Sequence, residues 1–280
     1  HPGHDRVAID PKAYAGDAYR GLYFWDTEMY LLPFFLYTDP ERARMLTDFR
    51  IRTLSGAQRN AAEFGYAGAR YPWEGDADGI EQCPNWQYRD HEVHVTADVV
   101  YGLAHTAQAT AQPDYLAQDG RAVLRETAAY WLERIDWRPG DAYPSLLGVM
   151  GPDEYAPITN NNAYTNRMVA FALSLAAAVE ADDALRERCL SSAHNLPLPR
   201  RADGLLLQCE EFEQFAEIDF AALWRDRTKP FAAQVSQERL YRSRCLKQAD
   251  VLLLMMLFPG EFSDAEVSQA WAYYLPYTTH

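Results

Sequence analysis

The chain has 280 residues and a mass of 31.9 kDa, with 48% hydrophobic and 24% charged residues, a globular composition that excludes wholesale disorder. Its 26 basic residues face 40 acidic ones, a net charge of −14, so the overall field repels a polyanion and nucleic acid is not an expected partner. Four cysteines without a C-x-x-C pair argue against a disulfide scaffold and predict free buried thiols. The longest apolar run, Val251 to Phe258, falls far short of the ~20 residues needed to span a bilayer, and the start has no apolar leader. A soluble protein of a reducing compartment, the cytoplasm, is expected.

Helical periodicity dominates in chain order. Thr38-Asp39-Pro40-Glu41 is a helix start, with a capping side chain, proline in the first turn and an acid behind it. The following helix carries Met45, Phe49 and Leu54 on one side. Thr96-Ala97-Asp98 opens another, with Val99, Val100 and Leu103 inward. Residues 118–137 show an apolar stripe at Val123, Leu124, Ala128, Trp131 and Ile135, and residues 162–180 another at Met168, Phe171, Leu175 and Val179. Residues 237–258 read as one helix, amphipathic and then apolar all round, with Lys247 inside it. Ser263-Asp264-Ala265-Glu266 is a capping box opening the last helix.

Between these lie long loops over 64–94, 138–161 and 197–208. They hold Trp73, Trp86, Tyr88, Tyr143 and Tyr155, so order and function are expected of them rather than disorder. No repeated strand alternation appears. Helical hairpins joined by long ordered loops predict an all-α protein, an α/α toroid with the loops at one mouth.

Phosphate-binding glycine loops and the G-x-S-x-G elbow are absent. His91-Glu92-Val93-His94 spaces its histidines at i and i+3, not the i and i+4 of H-E-x-x-H, so no metal is expected. What remains is carboxylates among aromatics: Phe24-Trp25-Asp26-Thr27-Glu28, Tyr71-Pro72-Trp73-Glu74 and Gly151-Pro152-Asp153-Glu154-Tyr155. An aromatic ring covers the C–H face of a pyranose while carboxylates accept from its hydroxyls. A carboxyl against an apolar wall also holds its proton more tightly, as a general acid must. The plainer alternative is that these acids cap helices or pair with Arg20 and Arg70.

These segments, taken in order with Arg20-Gly21, His94-Val95-Thr96-Ala97-Asp98, Asn161-Asn162-Ala163-Tyr164-Thr165-Asn166 and Leu246-Lys247-Gln248-Ala249-Asp250-Val251, resemble glycoside hydrolase family 65. That family contains maltose, trehalose, kojibiose and nigerose phosphorylases and a minority of hydrolases. The resemblance implies that residues 1–280 are most of an (α/α)6-toroid catalytic domain, without the family's N-terminal β-sandwich and C-terminal β-domain. It implies Glu154 as general acid and Trp25, Asp26, Lys247 and Gln248 as contacts to the donor glucose. Trp73 and Glu74 would form the cleft wall, and Asn162 and Tyr164 would bind substrate or shape the acid's loop. Asp153, next to Glu154 in a turn, is expected to be structural.

The implied reaction is inverting phosphorolysis of an α-linked glucose disaccharide to β-glucose 1-phosphate. Inorganic phosphate is then a co-substrate and no cofactor or metal is needed. The family's phosphate loop would lie just past Pro276-Tyr277-Thr278-Thr279-His280. An inverting α-glucosidase of the same family and a non-catalytic sugar-binding toroid are the alternatives. A homodimer is left open for the intact parent protein. Ala156 stands where many phosphorylases have His, Asn160 replaces a common Asp, and the segment 81–90 departs from the maltose enzymes, which leaves the acceptor sugar undefined.

Overall fold

The computed structural model describes residues 9, 11, 19–112, 114–137, 140 and 142–279. Among them the regular structure is helical, and β-pairing is limited to isolated bridges. The chain divides into two compact units, one made of 1–144 and 168–195, the other of 145–167 and 196–280.

In the first unit a π-helical turn, Thr27–Leu31, leads into α1 (Leu32–Thr38). α2 (Pro40–Arg52) starts where expected: Asp39 accepts from the Arg42 N–H at 3.2 Å, with proline in the first turn. Leu54 lies outside it and opens α3 (Leu54–Glu63), so the buried side of α2 is Ala43, Leu46, Phe49 and Arg50, with Met45 half-buried. A short helix, α4 (Trp86–His91), interrupts the stretch read as loop. α5 (Val95–Ala109) buries Val99, Val100 and Leu103 as predicted, and α6 (Arg121–Arg134) buries Val123, Leu124, Ala128 and Trp131. α2 packs on α1 and α5, and α6 on α5, α3 and α8 (Asp183–Asn195). Tyr23 stacks on Phe49 with centroids 3.8 Å apart, inside a cluster with Leu32, Leu36 and Leu46.

The division between the units falls within α7 (Ala163–Val179). Its buried stripe is Met168, Val169, Ala172, Leu173, Ala176 and Ala177, rotated from the predicted one: Phe171, Leu175 and Val179 are only half-buried.

The second unit is mostly loop, punctuated by α9 (Phe220–Leu223) and α10 (Gln237–Tyr241). α11 (Asp250–Leu257) and α12 (Asp264–Tyr274) pack on each other. Phe231, Leu240, Cys245 and Tyr155 form its core cluster. Ser263 and Glu266 make both halves of the predicted capping box.

The single helix predicted over 237–258 is broken. Between α10 and α11 the N–H of Arg244 donates to Ala216 O, that of Leu246 to Tyr277 O and that of Lys247 to Asp153. Those donors are the ones a continuous helix would have given to its own carbonyls four residues back. Lys247 therefore stands on a loop, not inside an apolar helix. Nor is α11 buried all round, since Met256 is 61% exposed.

Candidate active site

The first unit carries Trp25, Asp26, Trp73 and Glu74. Trp25 and Asp26 sit at the entry to the π-helical turn, held from both sides by Arg50 of α2. Its guanidinium donates to both carboxylate oxygens of Glu28 at 2.6 and 2.8 Å and to the Phe24 carbonyl at 3.1 Å. Both side chains of that pair are 3% exposed or less. Glu28 therefore belongs to Arg50, not to Arg20 or Arg70. Burial raises its pKa, with Arg50 opposing and Asp98 adding to the rise. Arg70 instead spends its guanidinium on the Arg89 carbonyl and the Phe64 ring.

Trp25 and Trp73 converge on one residue, His94, at the start of α5. Its ring centroid lies 5.1 Å from Trp25 and 5.9 Å from Trp73, edge-on to each. The ring is fully buried. Nδ1 is 2.6 Å from an Asp98 carboxylate oxygen, and Nε2 is 3.5 Å from Glu92. Burial alone would lower the imidazole's pKa, but Asp98 and Glu92 outweigh it and push it up to about 9.

The Trp73-Glu74 peptide is fixed by Glu81, whose carboxylate accepts from the N–H groups of Trp73, Glu74 and Cys83 at 2.6–3.0 Å. Glu74 itself, its pKa raised by burial, lines a cavity of about 560 Å³ with Arg20, Asp76 and Gln82.

The second unit carries Glu154, Asn162, Tyr164, Lys247 and Gln248. The Lys247 ammonium donates to Glu154 at 2.5 Å, both side chains being about 30% exposed: 31% and 28%. Gln248 donates its amide to the Pro152 carbonyl at 3.0 Å. Beneath them Asp153 is fully buried. One carboxylate oxygen accepts from the N–H groups of Lys247 (2.8 Å) and Tyr155 (3.2 Å), the other from the Gln208 amide (3.0 Å). Burial pushes its carboxyl up to about 7 against these bonds. Both of its oxygens are thus committed to bonds within the protein, which tie the loops of Glu154 and Lys247 together.

The network continues. Gln208 accepts from the Asp250 N–H at 3.3 Å, and Asp250 accepts from the Asn162 amide at 2.8 Å. The Asn162 carbonyl oxygen accepts from the N–H and hydroxyl of Thr165 at the start of α7. Gly151 must be glycine: a Cβ there would lie 2.1 Å from Asp250 and 2.4 Å from Asn162. Tyr164 is fully buried.

The structure thus groups Trp25 with Trp73, and Glu154 with Lys247, Gln248 and Asn162. Sequence reasoning weighed His94 only as a metal ligand and gave no role to Arg50, Glu81, Gln208 or Asp250. For His94 and Asp250 a signal existed, since both stand in the quoted motifs. Among the described residues no His, Cys, Asp and Glu cluster has the arrangement of a metal site, and no helix is long and apolar enough to cross a membrane.

Residues 1–280 match the glycosyl hydrolase family 65 central catalytic domain. The chain is 33% identical to a kojibiose phosphorylase of Halothermothrix orenii, over all of this chain and 40% of that protein. It is 31% identical to a nigerose phosphorylase of Lachnoclostridium phytofermentans, over all of this chain and 42% of that one. A protein-glucosylgalactosylhydroxylysine glucosidase of Gallus gallus is 39% identical over 60% of this chain and 24% of its own length. A solved structure described as a candidate kojibiose phosphorylase from the human microbiome superposes with a TM-score of 0.91 at 28% identity, covering 99% of this chain and 41% of that one. The chain spans about two fifths of the length of the phosphorylases it matches. The all-α class predicted from the periodicity is the observed one, and it is that of the family's (α/α)6 fold. This chain belongs to glycosyl hydrolase family 65, as its central catalytic domain.

Proposed function

We propose that the protein carrying this domain performs inverting phosphorolysis of an α-linked glucose disaccharide, with Glu154 as general acid. The observation that carries this reading is the Lys247–Glu154 contact at 2.5 Å on two loops tied together by Asp153. A carboxyl that protonates a glycosidic oxygen becomes an anion as the bond breaks. The ammonium beside it stabilises that anion, and the acid role requires that Glu154 carry its proton into the reaction with Lys247 turned to the donor hydroxyls. Gln248, placed next to the acid's loop by its bond to Pro152, offers its remaining amide capacity to sugar hydroxyls.

Trp25 and Trp73, 5% and 6% exposed, form the apolar backing of the donor-glucose site in this reading, with Asp26 accepting from its hydroxyls and Glu74 facing the cleft. Asn162, which contacts Gly151 and bonds Asp250, holds the shape of the acid's loop, and the fully buried Tyr164 is assigned the same role. Phosphate then attacks the anomeric carbon from the face opposite Glu154. Being already an anion, it needs no second carboxylate. The kojibiose and nigerose phosphorylases among the relatives favour this nucleophile, and their different linkages leave the acceptor sugar to experiment.

The similarity to the chicken glucosidase favours a second reading, in which water replaces phosphate and a carboxylate base activates it. Turnover of kojibiose, nigerose and trehalose with and without inorganic phosphate separates the two. The phosphorylase requires phosphate, releases β-glucose 1-phosphate and runs in reverse from it; the hydrolase releases β-glucose at a rate indifferent to phosphate. Glu154→Gln should lower kcat by about 10²–10⁴-fold with little change in substrate binding. Wild-type activity in that variant removes both readings.

A further inference from the structure

We propose that His94 is a positioning residue for sugar binding, its buried ring, braced by Asp98, setting the angle of Trp25 and Trp73, which are 5% and 6% exposed and back the glucosyl unit rather than face it openly. This rests on the reading above, in which those two tryptophans back the donor site.

The argument starts from what is buried. Glu28 of the Phe24–Glu28 segment and Arg50, Asp98, His94 and Glu92 around it are all fully or almost fully removed from water. Burying charged side chains is costly, and an apolar core would have held the same helices at least as firmly. The array does something an apolar core does not: it fixes orientation. The hydrogen bond from Nδ1 to Asp98 at 2.6 Å sets the ring's rotation about χ2, and Nε2 faces the Glu92 carboxylate at 3.5 Å, an ion-pair contact without a hydrogen bond. Two indoles rest against that ring, at interplanar angles of 82° and 78°.

Arg50 completes the clamp. It holds the Phe24 carbonyl and the Glu28 carboxylate, so the backbone on either side of Trp25 is pinned while His94 pins the indole. α5 approaches so closely that a Cβ at Gly102 would lie 2.9 Å from the Glu28 side chain. The π-helical turn that begins at Thr27 is the kind of local irregularity common at functional sites. The imidazole's pKa near 9 means the clamp is charged at neutral pH. The charged groups facing it are Asp98 on its own helix and Glu92 before it, with the Glu28–Arg50 pair behind Asp98.

The test uses the full-length protein and D-glucose as the probe, with binding read from tryptophan fluorescence and folding checked by thermal melting. His94→Phe keeps a ring but loses both nitrogens; glucose affinity should weaken about tenfold or more in folded protein. In the wild type, affinity should stay level up to pH 8 and weaken as His94 loses its proton. Asp98→Asn should move that midpoint down, a shift that a merely structural histidine would not give. Should His94→Phe fail to fold, the wild-type and Asp98→Asn pH profiles still decide. Glucose affinity within about twofold of wild type in His94→Phe, or a midpoint unmoved by Asp98→Asn, overturns the proposal. Trp25→Ala is the control: if it leaves glucose affinity unchanged, the donor-site reading itself falls. If it weakens affinity while His94→Phe does not, only the positioning role falls.

Discussion

The two groups of candidate residues are built in opposite ways. Around Trp25 and Trp73 the support comes from Arg50 and Asp98 on helices and from His94, Glu92 and Glu81 on the segments between them, and the central charged pair is sealed from water: Arg50 and Glu28 are 2% and 3% exposed. Around Glu154 the support comes from loops, and the key ion pair with Lys247 stays in touch with solvent. There the sealed group is Asp153, one layer below, which holds backbone rather than another charged side chain. The difference follows from the work each group is proposed to do. An aromatic platform needs only to keep its angle, so its charges can be locked permanently. An acid changes charge in every cycle, and a fully buried carboxyl would bear a desolvation cost each time.

The largest effects should come from breaking the sealed pair of the first unit. Arg50→Met leaves Glu28 buried and uncompensated and strips a donor from the Phe24 carbonyl, a loss of about 3–5 kcal/mol of stability. Adding Glu28→Leu should recover much of that loss, because the lone charge is then gone. Denaturant unfolding of the single and double variants checks this; a double variant as unstable as Arg50→Met would mean that the backbone contact, not the charge, matters most.

Asp153→Ala should come next. It orphans the Lys247 and Tyr155 N–H groups and the Gln208 amide, for about 2–3 kcal/mol after partial rescue by water. It should also lower turnover about 10²-fold with Glu154 intact, because the loop carrying the acid loses its anchor. Asp153→Asn, which keeps one oxygen for the two backbone donors, should cost less in both measurements. If alanine and asparagine behave alike, the bonds to Lys247 and Tyr155 are not what holds the loop.

Much of the helical frame was legible because it is written locally. The Asp39-Pro40 start and the Ser263–Glu266 box need only neighbouring residues, and the stripe of α6 is a simple period. The second half of 237–258 has a helix-forming composition throughout, so nothing local marks the break at Lys247. The break is imposed by Asp153, Tyr277 and Ala216, distant in sequence. α8 did have a local signal, Asp182 accepting from the Leu185 N–H at 2.9 Å, in a stretch the sequence reading left without a helix. The candidate residues were found through motif order. Their supporting groups were not, because a charged residue defaults to the surface unless its partner is known, and Arg50 lies 22 positions from Glu28.

The smallest effects are pH dependences, and they can tell the two units apart. His94 has its folded pKa raised from 6.5 to about 9. The folded state then binds an extra proton between those values, so its contribution is fully present below pH 6.5 and is lost as pH rises through 9. Asp153 has its folded pKa raised from 3.8 to about 7. For an acid this also means extra proton binding by the folded state, but in a lower window: stability falls as pH rises from about 4 to 7 and levels off above it. One proton gives a slope of at most about 1.4 kcal/mol per pH unit in each window. Stability should therefore be measured against pH for wild type, Asp153→Asn and His94→Phe. The difference between wild type and Asp153→Asn should change only below about pH 7 and be flat above pH 8. The difference between wild type and His94→Phe should be flat below pH 6 and shrink between 6.5 and 9. A His94→Phe difference that is constant across pH 6–10 would mean the ring is held neutral despite Asp98 and Glu92. The first unit would then owe its order to packing alone, and the contrast between a charge-locked platform and a loop-borne acid would disappear.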